Sequence, residues 1–487
     1  MSIAASPSES RTTTTGLTAG PSKWLVLTVV GIGTFMTTLD SSIVNISLPA
    51  IAHSFGVPLS GVVEWVIIAY LVVIAGTLMT FGRLSDMIGR KPVFVGGLVI
   101  FTIGSALCGL APSVVLLIVA RCFQGLGGAL IFAPSVALLT DAFPLRERGR
   151  AIGLNAVVVS VGISAGPALG GLITQYLDWR WIFYVNLPVG IIGLLLAGRV
   201  LPAGHRSPGR FDFLGALCLG IGLAGLTLAL SFGQEWGWSS PLLIVTVAIA
   251  LGALLALVPV ERHTLNPNVD LDLVTQRPFA AALTSLVLNF LALFAVGFLM
   301  PFYFENLRGF SAETAGLLLT PQAIAIAVVA PISGSLADRF GSRWLTSIGL
   351  AIGCVGLLLV AQLGLNSTIP DIVWRLVLVG VGMGLFQSPN NRAIMSAAPP
   401  RAQGQASGLL GTGRVVGQAL SIAFAGAIFS YYGGTDATAM LAQAAGLPAD
   451  QVAALQQTFV TAYHNALIGS ALVAAVGIFT SLVRGRA

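Results

Sequence analysis

Ionisable side chains are scarce in this chain, and those inside long apolar stretches are where chemistry is to be sought. Asp40 stands near the middle of an apolar run, 24–52, about 24 Å from its N-terminal end at 1.5 Å per residue. Arg121 stands inside a second run, 113–141, at a comparable depth. Burial disfavours a charged carboxylate and a neighbouring cation restores it, so such an acid is poised to take up and release a proton. Ionised Asp40 would satisfy Arg121; protonated Asp40 would release the guanidinium to another partner. The bland alternative is a static ion pair that fastens two helices. Glu64, beside Trp65, is a second acid, suited to relaying protons or to sitting at a wet interface.

Other residues suit a cavity and a gate. Asn45, Tyr70, Gln124, Asn289 and Gln387, with Phe132 and Phe298, are polar points and aromatic rings within apolar runs, the lining that amphiphilic ligands favour. Arg414 lies within the run 405–432, which holds no acid. Its planar five-donor fork suits an anionic or zwitterionic group, unless a backbone carbonyl or a gate holds it. Asp86 follows the run 61–82. It suits a helix N-terminus, where the dipole favours a carboxylate, or Arg83, Arg90 or the arginines at 146–150. Either contact would hold one end of the molecule shut. Gly162, Gly166 and Gly170 give the run 150–176 a small-residue face for a helix of the other half, and Pro167 is expected to kink it.

The elements that must carry these residues follow from composition. Apolar residues make up 56% of the 487 and charged residues 9%, with a mean hydropathy of +0.92. A soluble domain is about 25% charged, so a soluble enzyme is excluded, as is a disordered chain. Fourteen runs are long enough to span a membrane: 24–52, 61–82, 91–111, 113–141, 150–176, 180–202, 212–233, 240–260, 277–305, 313–338, 343–364, 369–397, 405–432 and 460–483. The chain therefore reads as an all-α integral membrane protein. Of the 24 Lys and Arg, only Arg180 and Arg308 fall on one side of this arrangement and Arg121, Arg375 and Arg414 inside runs. All others fall on the side that carries both termini, which the positive-inside rule makes cytoplasmic.

The four cysteines lie in apolar runs without metal-ligand spacing, and the four histidines are scattered, so no metal, cofactor or acid–base cluster is expected. A membrane transferase, the enzyme alternative, would need such a cluster. No phosphate-cradling loop and no basic tract occurs, which argues against ATP drive and against nucleic acid.

The sequence repeats itself. Gly82-Arg83-Leu84-Ser85-Asp86-Met87-Ile88-Gly89-Arg90-Lys91 is echoed by Gly334-Ser335-Leu336-Ala337-Asp338-Arg339-Phe340-Gly341-Ser342-Arg343. Arg121, Gly125, Gly127 and Pro134 are echoed by Arg375, Gly380, Gly382 and Pro389, and Arg148–Leu154 by Gln403–Leu409. The unit is six helices. The expected organisation is a tail at 1–22, a first bundle at 23–205, two inserted helices at 206–265 and a second bundle at 266–487 with an outer loop at 433–459. Two like-oriented bundles around a cavity are a transporter architecture.

These motifs carry a resemblance. Gly82–Lys91 looks like the loop signature of the major facilitator superfamily. Gly162-Ile163-Ser164-Ala165-Gly166-Pro167-Ala168-Leu169-Gly170-Gly171 resembles that superfamily's antiporter motif, and Leu39–Pro49 is similar to the first-helix motif of its fourteen-helix drug:proton antiporters. The resemblance implies the major facilitator fold and, in a cell (inner) membrane, a monomer that exchanges protons for amphiphilic drugs. It links Arg121 to proton coupling. Some relatives carry acids in the helix that here holds Arg414 and no acid, a departure that draws the expectation away from purely cationic cargo. An exporter of one metabolite or lipid is the alternative.

Overall fold

The structure is a computed structural model, and it describes residues 22–56, 63, 65–202, 212–237, 239–264, 271–399, 402–441 and 448–483. Among these residues, thirteen helices are long and apolar enough to cross a membrane. A further long helix, α5 (Arg148–Tyr176), spans 29 residues. Before it come α1 (Lys23–Phe55), α2 (Trp65–Ile88), α3 (Arg90–Leu110) and α4 (Val114–Ala142). Two short helices, α6 (Trp181–Tyr184) and α7 (Asn186–Val200), follow, and then α8 (Phe213–Trp236) and α9 (Pro241–His263). The second half holds α10 (Leu271–Thr275), α11 (Arg277–Phe302), α12 (Ala312–Phe340), α13 (Arg343–Ala361), α14 (Ile369–Ala397), α15 (Gln403–Tyr431), α16 (Gly434–Leu441) and α17 (Ala449–Val483).

Helix starts follow local chemistry. The side chains of Ser113, Asp212, Ser240, Ser311 and Thr368 each accept from a backbone N–H in the first turn of the helix that follows. Such caps satisfy donors that a helix leaves orphaned. The span expected over 180–202 is present as Trp181–Val200, with α6 and α7 separated by the single residue Val185. The last helix begins at Ala449 rather than 460, so much of the expected outer loop is its N-terminal extension, with α16 beside it.

The two halves pack in the same order. α1 lies on α5 as α11 lies on α15; α2 and α3 lie on α4 as α12 and α13 lie on α14; α3 meets α7 as α13 meets α17. The correspondence is the one the sequence echoes indicate. α8 and α9 pack on each other, and α8 rests on α2 and α15, outside both bundles. α9 leaves Leu242, Ile244, Val245, Ile249, Leu251 and Leu255 exposed, a surface suited to lipid tails.

Candidate functional site

Asp40 lies on the interior side of α1 and is completely buried. Three donors converge on it. Arg121 Nη1 stands 2.5 Å from Oδ2, while Gln124 Nε2 at 2.8 Å and Asn186 Nδ2 at 3.0 Å donate to Oδ1. Arg121 is as fully buried. Its Nε donates to the Val66 carbonyl in the first turn of α2 at 2.9 Å, and its Nη1 also donates to Gln124 Oε1 at 2.6 Å. The guanidinium lies over the Tyr70 ring, 4.2 Å from its centroid, while Nη2 has no hydrogen-bond partner among the described residues. Gln124 is held in turn by Ser105 of α3 at 2.8 Å.

Glycines let the helices close around this cluster. A Cβ on Gly104 would meet Gln124 at 2.8 Å, and one on Gly125 would meet the Tyr70 carbonyl at 3.0 Å. One turn of α4 spacing puts Arg121 and Gln124 on the same face. The result is a carboxylate balanced by one guanidinium and two amides, with no exposure to solvent. Removing one member of such a buried pair leaves an uncompensated charge, which costs about 3–5 kcal/mol.

The end of the molecule that carries the arginine-rich loops is closed by two matching contacts. Asp86 accepts from the backbone N–H of Gly404 at 2.8 Å and of Gln405 at 3.1 Å, in the first turn of α15. Asp338 accepts from Gly149 at 3.1 Å and Arg150 at 3.3 Å, in the first turn of α5. Each acid, in the last turn of α2 or α12, thus caps a helix of the other half, where the dipole favours negative charge. Arg90 stands 3.6 Å from Asp86 and also pairs with Asp141, and Arg392 lies 2.8 Å from Asp338. The helix N-terminus and Arg90 are both among the partners open to Asp86 in the sequence.

Gly82 and Gly404 face each other so closely that a Cβ on Gly82 would fall 2.6 Å from the Gly404 carbonyl; Gly149 and Gly334 do the same. Gly89 and Gly341, equivalent in the repeat, have φ of +103° and +82°, a region that favours glycine. Lys91 donates to the Gly198 carbonyl of α7 at 2.8 Å, and Arg83 is half-buried on α2.

Several expectations are redirected. Tyr70 and Gln124, expected to line a cavity, are sealed into the Asp40–Arg121 cluster instead. Gly162 and Gly166, expected to receive a helix of the other half, face Thr38 and Ser42 of α1 in the same half; Gly170 is buried on the same helix. Those two α1 residues flank Asp40, so the glycine face seats the turn that carries the acid. The seam between halves is made earlier on α5, where a Cβ on Gly153 would meet the Ala330 carbonyl of α12 at 2.6 Å. Asn289 is fully buried, with neither amide atom hydrogen-bonded among the described residues. Gln387 is buried, Phe132 and Phe298 are half-buried, and Phe298 packs edge-on against Phe302. Arg414 lies 5.5 Å from the Phe290 ring centroid. Glu64 and the side chains of Asn45 and Pro167 fall outside the described residues.

Asn186 and Ser105 escaped sequence reasoning. The available signal was an amide inside the apolar run 180–202, a rare and costly occurrence in lipid.

The family model of the Major Facilitator Superfamily matches residues 30–216 and 213–422. The chain belongs to this superfamily. It is 35% identical over 410 residues to the riboflavin transporter RibZ of Clostridioides difficile, covering 84% of this chain and 88% of RibZ. It is 35% identical over 408 residues to the multidrug resistance protein Stp of Mycobacterium tuberculosis, covering 83% and 76%. Its fold is shared by the human organic anion transporter MFSD10, with a TM-score of 0.66 at 16% identity over 95% of this chain and 100% of that one. As a superfamily member with drug exporters among its relatives, the protein is a multi-pass membrane transporter of small molecules and not an enzyme.

Proposed function

We propose that the protein exports amphiphilic small molecules from the cytoplasm of a cell in exchange for protons, by alternating access, with Asp40 as the protonation site. The observation that carries this reading is the buried Asp40–Arg121 pair. A carboxyl group at mid-membrane depth with a single guanidinium as counter-charge has two satisfactory states. Ionised, it pairs with Arg121. Protonated, it keeps its amide contacts and frees Arg121, whose Nη2 is already without a hydrogen-bond partner among the described residues. Arg121 then has the Val66 carbonyl of α2 and Gln124 of α4 to hold, so protonation changes how α1 is tied to its neighbours.

The arginine-rich end, closed here, is read as the cytoplasmic end, with both termini on that side. The Asp86 and Asp338 caps are the contacts that break when it opens inward. The glycine face of α5 transmits the state of Asp40, because Gly162 and Gly166 hold its turn while Gly149 and Gly153 form the seam with α12. Transport by a monomer needs no cofactor in this scheme.

The test is the purified protein in liposomes with an imposed pH gradient. Uphill movement of an amphiphilic dye is expected for the wild type and lost in Asp40→Asn, with the folded fraction retained. The unpaired Arg121 should lower the melting temperature, and a folded population is expected because Asn copies the neutral state that the cycle itself visits, with its amide contacts in place. Uphill transport by Asp40→Asn at wild-type rate refutes the assignment. A second reading, export of one metabolite, is favoured by the relative named for riboflavin, as similar to this chain as the one named for multidrug resistance. A substrate screen separates the two by whether one compound or many compete.

A further inference from the structure

Arg414 differs from Arg308, Arg375 and Arg392 of the second half. Arg375 pairs with Asp371 at 3.1 Å, Arg392 with Asp338, and Arg308 donates to the Ser367 carbonyl at 2.7 Å. Arg414 makes no hydrogen bond and no ion pair among the described residues, and its Nε is buried without a partner. Its contact is the face of Phe290 on α11. An unneutralised guanidinium held in a membrane interior is costly, and such groups mark ligand pathways.

Its position along α15 says which way it points. Gln403, at the start of that helix, bonds Thr140 of α4 in the other half at 3.1 Å. Eleven residues later the helix has turned through about three full turns, so Arg414 is on nearly the same side, about 16 Å further into the membrane. Ser407 and Ser421 stand seven residues before and after it, again on that side. Both are buried, and both hydroxyls lack a partner. Three polar side chains on one strip of α15 thus keep hydrogen-bonding capacity unused among the described residues, at about 10 Å intervals. Core packing leaves few such groups unsatisfied, whereas a site that waits for a polar ligand leaves them so.

We propose that this strip binds the anionic group of the cargo. Arg414 takes a carboxylate, sulfonate or phosphate through its donor fork, Ser407 and Ser421 bond polar atoms along the molecule, and Phe290 holds the guanidinium from below. The inference rests on the transport reading for its purpose, and names the cargo as anionic amphiphiles. It does not rest on proton coupling, which the binding experiment leaves out.

Two xanthene dyes of opposite charge provide the test: fluorescein, an anion, and rhodamine 6G, a cation. Their binding to the detergent-solubilised full chain is read by fluorescence anisotropy. Tighter binding of fluorescein to the wild type is expected. Arg414→Gln should weaken fluorescein by about tenfold or more, the value of a charge-assisted bond, and leave rhodamine 6G unchanged. Arg414→Lys, which keeps the charge but not the fork, should fall between. Each variant is checked for an unchanged elution profile and melting temperature. Equal affinity of the wild type for both dyes, equal loss of both in Arg414→Gln, or no fluorescein binding overturns the proposal. Fluorescein bound by the wild type but never driven by a pH gradient in liposomes would refute proton coupling and leave this site standing.

Discussion

Substituting Asp86 by Asn should open the closed end of the molecule. The carboxylate accepts from two backbone N–H groups at 2.8 and 3.1 Å and stands 3.6 Å from Arg90. Asn keeps the shape and one acceptor oxygen, but turns an NH2 group toward the second N–H and removes the charge. Hydrogen bonds to charged groups contribute about 1.5–3 kcal/mol each, and a carboxylate at a helix N-terminus adds up to about 2 kcal/mol in a partly buried site. With one bond surviving in weaker form, the closed state should lose about 2–3 kcal/mol relative to the open one. At 1.4 kcal/mol per tenfold, that is a shift of about 30- to 150-fold in the closed-to-open ratio. Spin labels at Ile88 of α2 and Ser396 of α14, both exposed near that end, report the separation of the halves by pulsed dipolar spectroscopy in a background with the four native cysteines replaced. The wild type should give one short distance and Asp86→Asn a second, longer one. Asp338→Asn should do the same, because it caps α5 as Asp86 caps α15. Unchanged distances in both variants and in their combination would refute the claim that these caps hold the end shut.

Further outcomes follow from the same geometry. Asn186→Ala removes one of two amides from Asp40 Oδ1 and should cost about 1–3 kcal/mol, read as a lower melting temperature in detergent; no change would mean that Gln124 alone suffices. Gly166→Val should separate α1 from α5 at Ser42 and cost about 1–3 kcal/mol with a loss of transport. Gly171→Val, with open space around it, should retain both stability and transport, and equal damage at the two sites would contradict the seating role given to Gly166. Glu147→Gln breaks the half-exposed pair with Lys23 and should change stability by no more than about 1 kcal/mol, as measured by thermal melting.

The amino-acid sequence alone determines which stretches enter the membrane, because apolarity over about 20 residues is a local property. It also determines the two-fold repeat, since the echoes at Asp86 and Asp338 and at Arg121 and Arg375 are read by eye. The Asp40–Arg121 pair is legible for a related reason: charges deep in lipid are few, and depth along a helix follows from counting residues. Helix packing decided the rest. Asp86 reaches residues more than 300 positions away, and Asn186 reaches Asp40 across 146. No periodicity encodes which helix lies beside which, or which face each turns inward. The glycines of α5 look alike in sequence, yet Gly149 and Gly153 serve the seam with α12 while Gly162 and Gly166 seat α1. The same holds for Tyr70 and Gln124, whose types suit a cavity as well as an ion-pair network; only the close approach of α2, α3 and α4 at glycines places them in the second.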